Sequence, residues 1–340
     1  MFSRTRLPLK VLCQFAVAPF LLALPLSVHA TSCTSQAQLQ PQDRDALTGV
    51  AGRMAEAAAA QDFSALKAAL LPSVAPDWEG IRGAVEQSAS LLKGGQIQLR
   101  NMYLLDANSL TAAADTQFFC SNSTGSMTVT VTMRALPPGR YAVVLGEAAG
   151  SPYLGQLGFV FAWDGTGSAA GWKLGGVSIR PGIFDGHDGV WYWSRARDLA
   201  RTDMKFDPWS AWFSYEAARA LLVPVDFLSS PNLEKLGQEQ AAIKNSPPDA
   251  FPYSLQDGTR IWKIDVVRFD PSLLHADLAV VFESTGVTDP AAQKTEAIAV
   301  LSALVKAQPG LKTNFHGLWA YAAKDGKQTP VIEVPMEQIP

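Results

Sequence analysis

Hydrophobic positions change their period along the chain. Between Asp45 and Gln61, residues Leu47, Val50, Ala51, Met54 and Ala58 recur at helical spacing and predict one amphipathic helix. Asp62 can cap a second, short helix carrying Leu66, Ala69, Leu70 and Leu71, which Pro72 stops. Asp77 can cap a third, with Ile81, Ala84, Val85, Leu91 and Leu92 on one side and Gly94-Gly95 at its end. The period then falls to two. Ile97 to Leu105 alternates, and Val129, Val131 and Met133 alternate cleanly with Thr128, Thr130, Thr132 and Arg134, as a strand with one buried face does. Pro137-Pro138-Gly139 turns the chain into Tyr141 to Leu145. Gly158 to Trp163 and Trp172 to Ile179 follow as two more strands.

A second block, residues 186–245, is helical. Val190 to Thr202 and Pro208 to Val223 predict a helical hairpin. Asp207-Pro208 is a cap followed by proline at the first helical position, and Pro224 is the stop. A further helix over Leu233 to Lys244 leads into a polar, proline-rich linker. The third block, 258–338, reads as β-β-α-β-β. Strands are expected at 261–269 and 276–282, a helix opens at Asp289-Pro290 and runs to about Ala307, and strands at 315–321 and 331–334 close the unit. The fold class is therefore α+β, with an N-terminal domain over 45–182, the hairpin, and a small C-terminal unit.

Three helices followed by five or six antiparallel strands, closed by Gly171-Trp172-Lys173-Leu174 before the last strand, resemble the nuclear transport factor 2-like (cystatin-like) superfamily. That resemblance is one of element order over about 45–180. It implies a curved sheet wrapped around helices into a cone with an interior pocket. The superfamily holds isomerases and dehydratases and also non-catalytic binding modules, so the fold alone does not fix function. The layout as a whole resembles that of bacterial secreted proteins.

The first thirty residues change the picture of where the protein works. Arg4, Arg6 and Lys10 precede an apolar run from Val11 to Leu26, and Val28-His29-Ala30 places small residues where a signal peptidase reads. The run is shorter than the roughly 20 residues a spanning helix needs and contains Pro19 and Pro25. Cleavage is expected after Ala30, with export to the periplasm or the extracellular space. The 340 residues carry 28 bases and 31 acids. Losing three bases and no acid takes the net charge from -3 to -6, with no basic excess to favour nucleic acid. No later segment is long and apolar enough to suggest a transmembrane span.

Of three cysteines, Cys13 leaves with the signal. Cys33 and Cys120 remain and are expected to pair, as cysteines of exported proteins do. Lipid attachment at Cys33 is the rival, but Ala30-Thr31-Ser32 lacks the Leu or Val that such a site places three residues ahead.

Candidate chemistry is sparse. There is no G-x-S-x-G, H-E-x-x-H, phosphate loop or paired C-x-x-C, so no catalytic residue, cofactor or metal is assigned. Trp191, Trp193, Trp209, Trp212 and Tyr215 crowd the hairpin. They are either the seam between its helices or an aromatic groove for a small molecule or a protein. Asp185, His187 and Asp188 could chelate, but a turn whose Asp188 caps the next helix fits the same residues. His275 and His316 lie in or beside strands and could move protons only if a partner converges on them. Two functions follow from different premises: a non-catalytic binding module, or a small-pocket isomerase or hydrolase using carboxylates such as Asp106 or Asp115.

Overall fold

The computed structural model describes residues 31–121, 124–125, 128–165, 170–201 and 206–340. The expected signal segment and its cleavage point at Ala30 lie outside the described residues. Strand β1 (Ser32–Ser35) opens the described chain, and helices α1 (Pro41–Ala60), α2 (Phe63–Ala68) and α3 (Trp78–Ser88) follow. The Asp62 side chain accepts from the Ala65 N–H and so caps α2. Six strands then run in order: β2 (Gln96–Asp106), β3 (Ala114–Ser121), β4 (Thr128–Leu136), β5 (Arg140–Ala149), β6 (Gln156–Asp164) and β7 (Gly171–Arg180).

These strands form two open sheets, not one closed surface. The larger has the order β1-β2-β5-β6-β7. Its one face carries Ala142, Val144, Phe159, Phe161 and Leu174, and buries them against Leu47, Ala51, Met54 and Ala58 of α1. Its other face carries Tyr103, Leu105, Val143 and Leu145 and packs on Phe118, Cys120 and Val131 of the second sheet. Strand β5 is thus covered on both sides, which is why Tyr141–Leu145 reads as a continuous apolar run and not an alternation. Strand β3 is not legible in the hydrophobic pattern. Its buried Thr116, Phe118 and Cys120 alternate with an outward Phe119 that is 64% exposed, so the apolar signal appears on both faces. Cys33 of β1 and Cys120 of β3 form the expected disulfide, with Cα atoms 5.1 Å apart. The bond joins the two layers.

A short β8–β9 hairpin (Ile183–Phe184, His187–Asp188) leads into α4 (Gly189–Ala200) and α5 (Pro208–Leu222), the expected pair of helices. The Asp188 side chain caps α4 and the Asp207 side chain caps α5. Gly189 lets the helices meet: a Cβ there would sit 2.6 Å from Leu222 Cγ. Strand β10 (Leu228–Ser229) joins β4, completing a β10-β4-β3 sheet. Next come α6 (Pro231–Ala241), α7 (Pro247–Ala250) and β11 (Tyr253–Asp257). The linker reading of this stretch missed β11, whose exposed Ser254, Gln256 and Asp257 hide a single buried Leu255.

The C-terminal unit has β12 (Arg260–Asp270), β13 (Asp277–Glu283), α8 (Pro290–Ala307), α9 (Gly310–Asn314), β14 (Gly317–Lys324) and β15 (Lys327–Pro335). Its sheet order is β11-β12-β13-β14-β15, antiparallel except that β13 and β14 run parallel across the α8 crossover. Leu278, Val280, Phe282, Leu318 and Ala320 face α8 and α5 in the largest core. Their neighbours Asp277, Ala279, Val281, Gly317, Trp319 and Tyr321 therefore face the other side. Among the described residues, no helix is long and apolar enough to cross a membrane.

Candidate functional site

The aromatic residues of the hairpin do not share one groove. Trp209 and Tyr215 are core: Trp209 packs against Phe213, Phe251 and Tyr253, and the Tyr215 hydroxyl donates to Glu239 at 3.3 Å. Burial beside that carboxylate pushes the Tyr215 phenol up to about 12. Trp193 donates from Nε1 to Glu239 at 2.7 Å and carries the Arg197 guanidinium 4.3 Å above its ring. Trp191 is exposed and stacks on His187, centroids 3.7 Å apart. Trp212 lines a cavity.

Arg197 lies over Trp193 of its own helix and reaches across to α6. Its Nε and Nη2 donate to Glu239 of α6 at 2.8 and 2.9 Å. This bidentate pair holds the Glu239 carboxyl below its usual range. Arg195 donates to Asn314 of α9 at 2.9 Å. Arg195 and Arg197 of α4 thus tie later elements to the hairpin.

The cavity beside Trp212 is a cleft of about 650 Å³ where α5, α6, β7 and β12 meet. Its apolar walls include Trp212, Phe213, Leu233 and Phe269, and Arg180, Arg219, Glu216 and Glu234 supply charge. Arg180 is already engaged, with Asp226 at 2.8 Å and the Val223 carbonyl at 3.2 Å. Glu216 accepts from Gln240. Arg219 differs. Its one hydrogen bond is a 3.4 Å contact to Gln240 Oε1, and among the described residues no carboxylate lies within ion-pair distance of it. Gly237 opposite leaves room for the guanidinium, since a Cβ there would come within 3.1 Å of Nη2. A half-buried cation beside aromatic walls, with no anion of its own, suits an incoming organic anion.

The segment 185–188 divides its labour. Asp188 is the cap and His187 the stacking partner of Trp191, as the turn reading required. Asp185, at φ +50°, points away from both. Its Oδ1 meets His275 Nδ1 at 2.5 Å and its Oδ2 accepts from the Ala276 N–H at 2.9 Å. His275 stacks in turn on His316, whose Nδ1 meets Asp277 Oδ1 at 2.9 Å. The convergence that neither histidine shows alone in the sequence is therefore present in the fold. Asp106 and Asp115 enter no such cluster. Each accepts a backbone N–H, from Asn108 and Ala135 respectively, in exposed segments.

No family model, curated protein or solved structure matches the chain.

Proposed function

We propose that this chain is an exported, non-catalytic binding module that seats a carboxylate with an apolar body in the cleft between α5, α6, β7 and β12. The observation that carries the reading is Arg219, a half-buried guanidinium in a 650 Å³ aromatic-walled cleft with no carboxylate partner among the described residues. A ligand carboxylate would supply the missing charge through a forked hydrogen-bonded pair, and Trp212, Phe213 and Leu233 would cover its apolar body. Export is supported by the signal-like pattern of residues 1–30 and by the Cys33–Cys120 disulfide. The isomerase or hydrolase alternative draws no support from Asp106 or Asp115, whose carboxylates accept backbone N–H groups, of Asn108 in the turn after β2 and of Ala135 across the β3–β4 pair.

A thermal-shift series tests the reading. The probes are benzoate, phenylacetate, indole-3-acetate and hexanoate, each beside its neutral amide. A carboxylate at about 100 times its Kd stabilises by about 2.7 kcal/mol. Carboxylates should raise the melting temperature, the amides should not, and Arg219→Ala should abolish the difference. A shift that survives unchanged in Arg219→Ala, or no shift with any carboxylate, overturns the reading.

A further inference from the structure

A second cluster stands on the face of the C-terminal sheet opposite α8, and the cleft does not use it. Asp277 begins β13, Gly317 begins β14 beside it, and Glu333 lies on β15 opposite Trp319. The parallel register of β13 and β14 sets Asp277 next to Gly317, so residues far apart in the chain share one sheet end. Gly317 is what lets the carboxylates close in. A Cβ at this position would sit 2.6 Å from Glu333 Oε1 and 3.1 Å from Asp277 Oδ1. Ligand atoms of Asp277, Glu333 and His316 all lie within 4.8 Å of one another.

The polar groups of this cluster are incompletely satisfied. Asp277 is fully buried. Its Oδ1 is matched to His316 Nδ1, but its Oδ2 has no hydrogen-bond partner. Glu333 Oε1 is also enclosed without a partner. Enclosed carboxylate oxygens without donors are costly, and two of them converging double the problem. Among the described residues, neither carboxylate has a lysine or arginine in ion-pair contact, so no side-chain cation offsets the charge. His316 remains 36% exposed, which leaves the cluster open to solvent on one side.

We propose that Asp277, Glu333 and His316 bind a divalent d-block cation, for which zinc is the probe. Two carboxylates and a neutral imidazole balance a double positive charge. One nitrogen and two oxygens is a donor set that d-block ions accept, whereas calcium calls for six to eight oxygens. A cation among these groups would satisfy both orphaned oxygens at once. His275, stacked on His316 with centroids 3.8 Å apart and itself bound to Asp185, is a positioning residue that fixes the ring plane of His316.

The experiment uses the whole purified chain, freed of metal with a chelator and titrated with zinc chloride by calorimetry and by equilibrium dialysis with elemental analysis. One equivalent of zinc should bind and raise the melting temperature. Glu333→Gln and Asp277→Asn should each weaken binding by about 100-fold, the upper end of what even outer-shell changes cost at metal sites. His187→Ala, at a partly exposed histidine outside the cluster, should bind as the wild type does. Arg219→Ala should also bind zinc normally, so failure of the cleft reading and failure of this one are separable. Should Asp277→Asn not fold, Glu333→Gln and the visible spectrum of the cobalt-substituted wild type, with its histidine-nitrogen signature, decide the matter. Zinc uptake that Glu333→Gln leaves unchanged, uptake lost in His187→Ala, or no uptake by folded wild type overturns the proposal.

Discussion

His275 and His316 stack face to face, centroids 3.8 Å apart and planes 12° from parallel. They sit at the same end of the sheet, one just before β13 and the other just before β14, which run parallel. Each binds a carboxylate through Nδ1: Asp185, from the turn ahead of the helical hairpin, and Asp277, from the sheet itself. Asp185 therefore links the hairpin to the C-terminal unit, because it also accepts the Ala276 N–H at 2.9 Å. Asp185→Ala should destabilise the protein by about 1–3 kcal/mol, since it leaves a backbone donor and a histidine without their acceptor. Denaturant unfolding at neutral pH measures this, and Asp188→Ala, which removes only a helix cap, should cost about 1 kcal/mol.

Glu239 gathers Trp193, Arg197 and Tyr215 on one carboxylate. Its carboxyl is held below the usual range, chiefly by the Arg197 hydrogen bonds. A lowered carboxyl contributes stability above its unfolded value and loses it as the pH falls through its folded value. Glu239→Gln should cost about 1–2 kcal/mol at pH 7. The gap between the two proteins should shrink as the pH drops below about 4. Unfolding curves across that range check both the size and the sign.

Gly317 is the only residue type that fits between the Asp277 and Glu333 carboxylates. Gly317→Ala should destabilise by about 1–3 kcal/mol, because besides both side chains the Val334 carbonyl stands 3.3 Å from the new methyl. Gly83→Ala is the matched control, since its Cβ would meet nothing within 4 Å. That partly exposed helical site should gain up to about 1 kcal/mol.

The disulfide joins two sheets across a sequence separation of 87 residues. Opening it should cost about 4–5 kcal/mol in the chain-entropy account of such loops. Unfolding with and without a reductant measures the difference, and Cys33→Ser with Cys120→Ser should reproduce it.

Where the sequence carried a strong period or a cap, the elements could be read before the fold was known. The α1 stripe, the Asp207-Pro208 start of α5 and the Asp289-Pro290 start of α8 are local signals, and each appears where it was expected. Strand β3 was lost because its exposed Phe119 blurs the alternation, and β11 because only Leu255 of its residues is buried. The Cys33–Cys120 pair is legible from the signal-like pattern of residues 1–30 and from cysteine parity. The candidate sites were much less so. Arg219 looks like any helical arginine until Gly237 and the cleft are seen around it. Asp277 and His316 are 39 residues apart and meet only because α8 returns the chain for a parallel strand. No local spacing encodes that meeting.

The cleft reading is tested most directly by hydrogen–deuterium exchange with and without saturating indole-3-acetate. The account predicts added protection confined to the cleft walls, that is to 212–223 of α5 and its exit, 233–237 of α6 and 267–269 of β12. Arg219→Ala should show none of it. Protection centred instead on β5 and β6 beneath the N-terminal helices, or protection that Arg219→Ala retains, contradicts it.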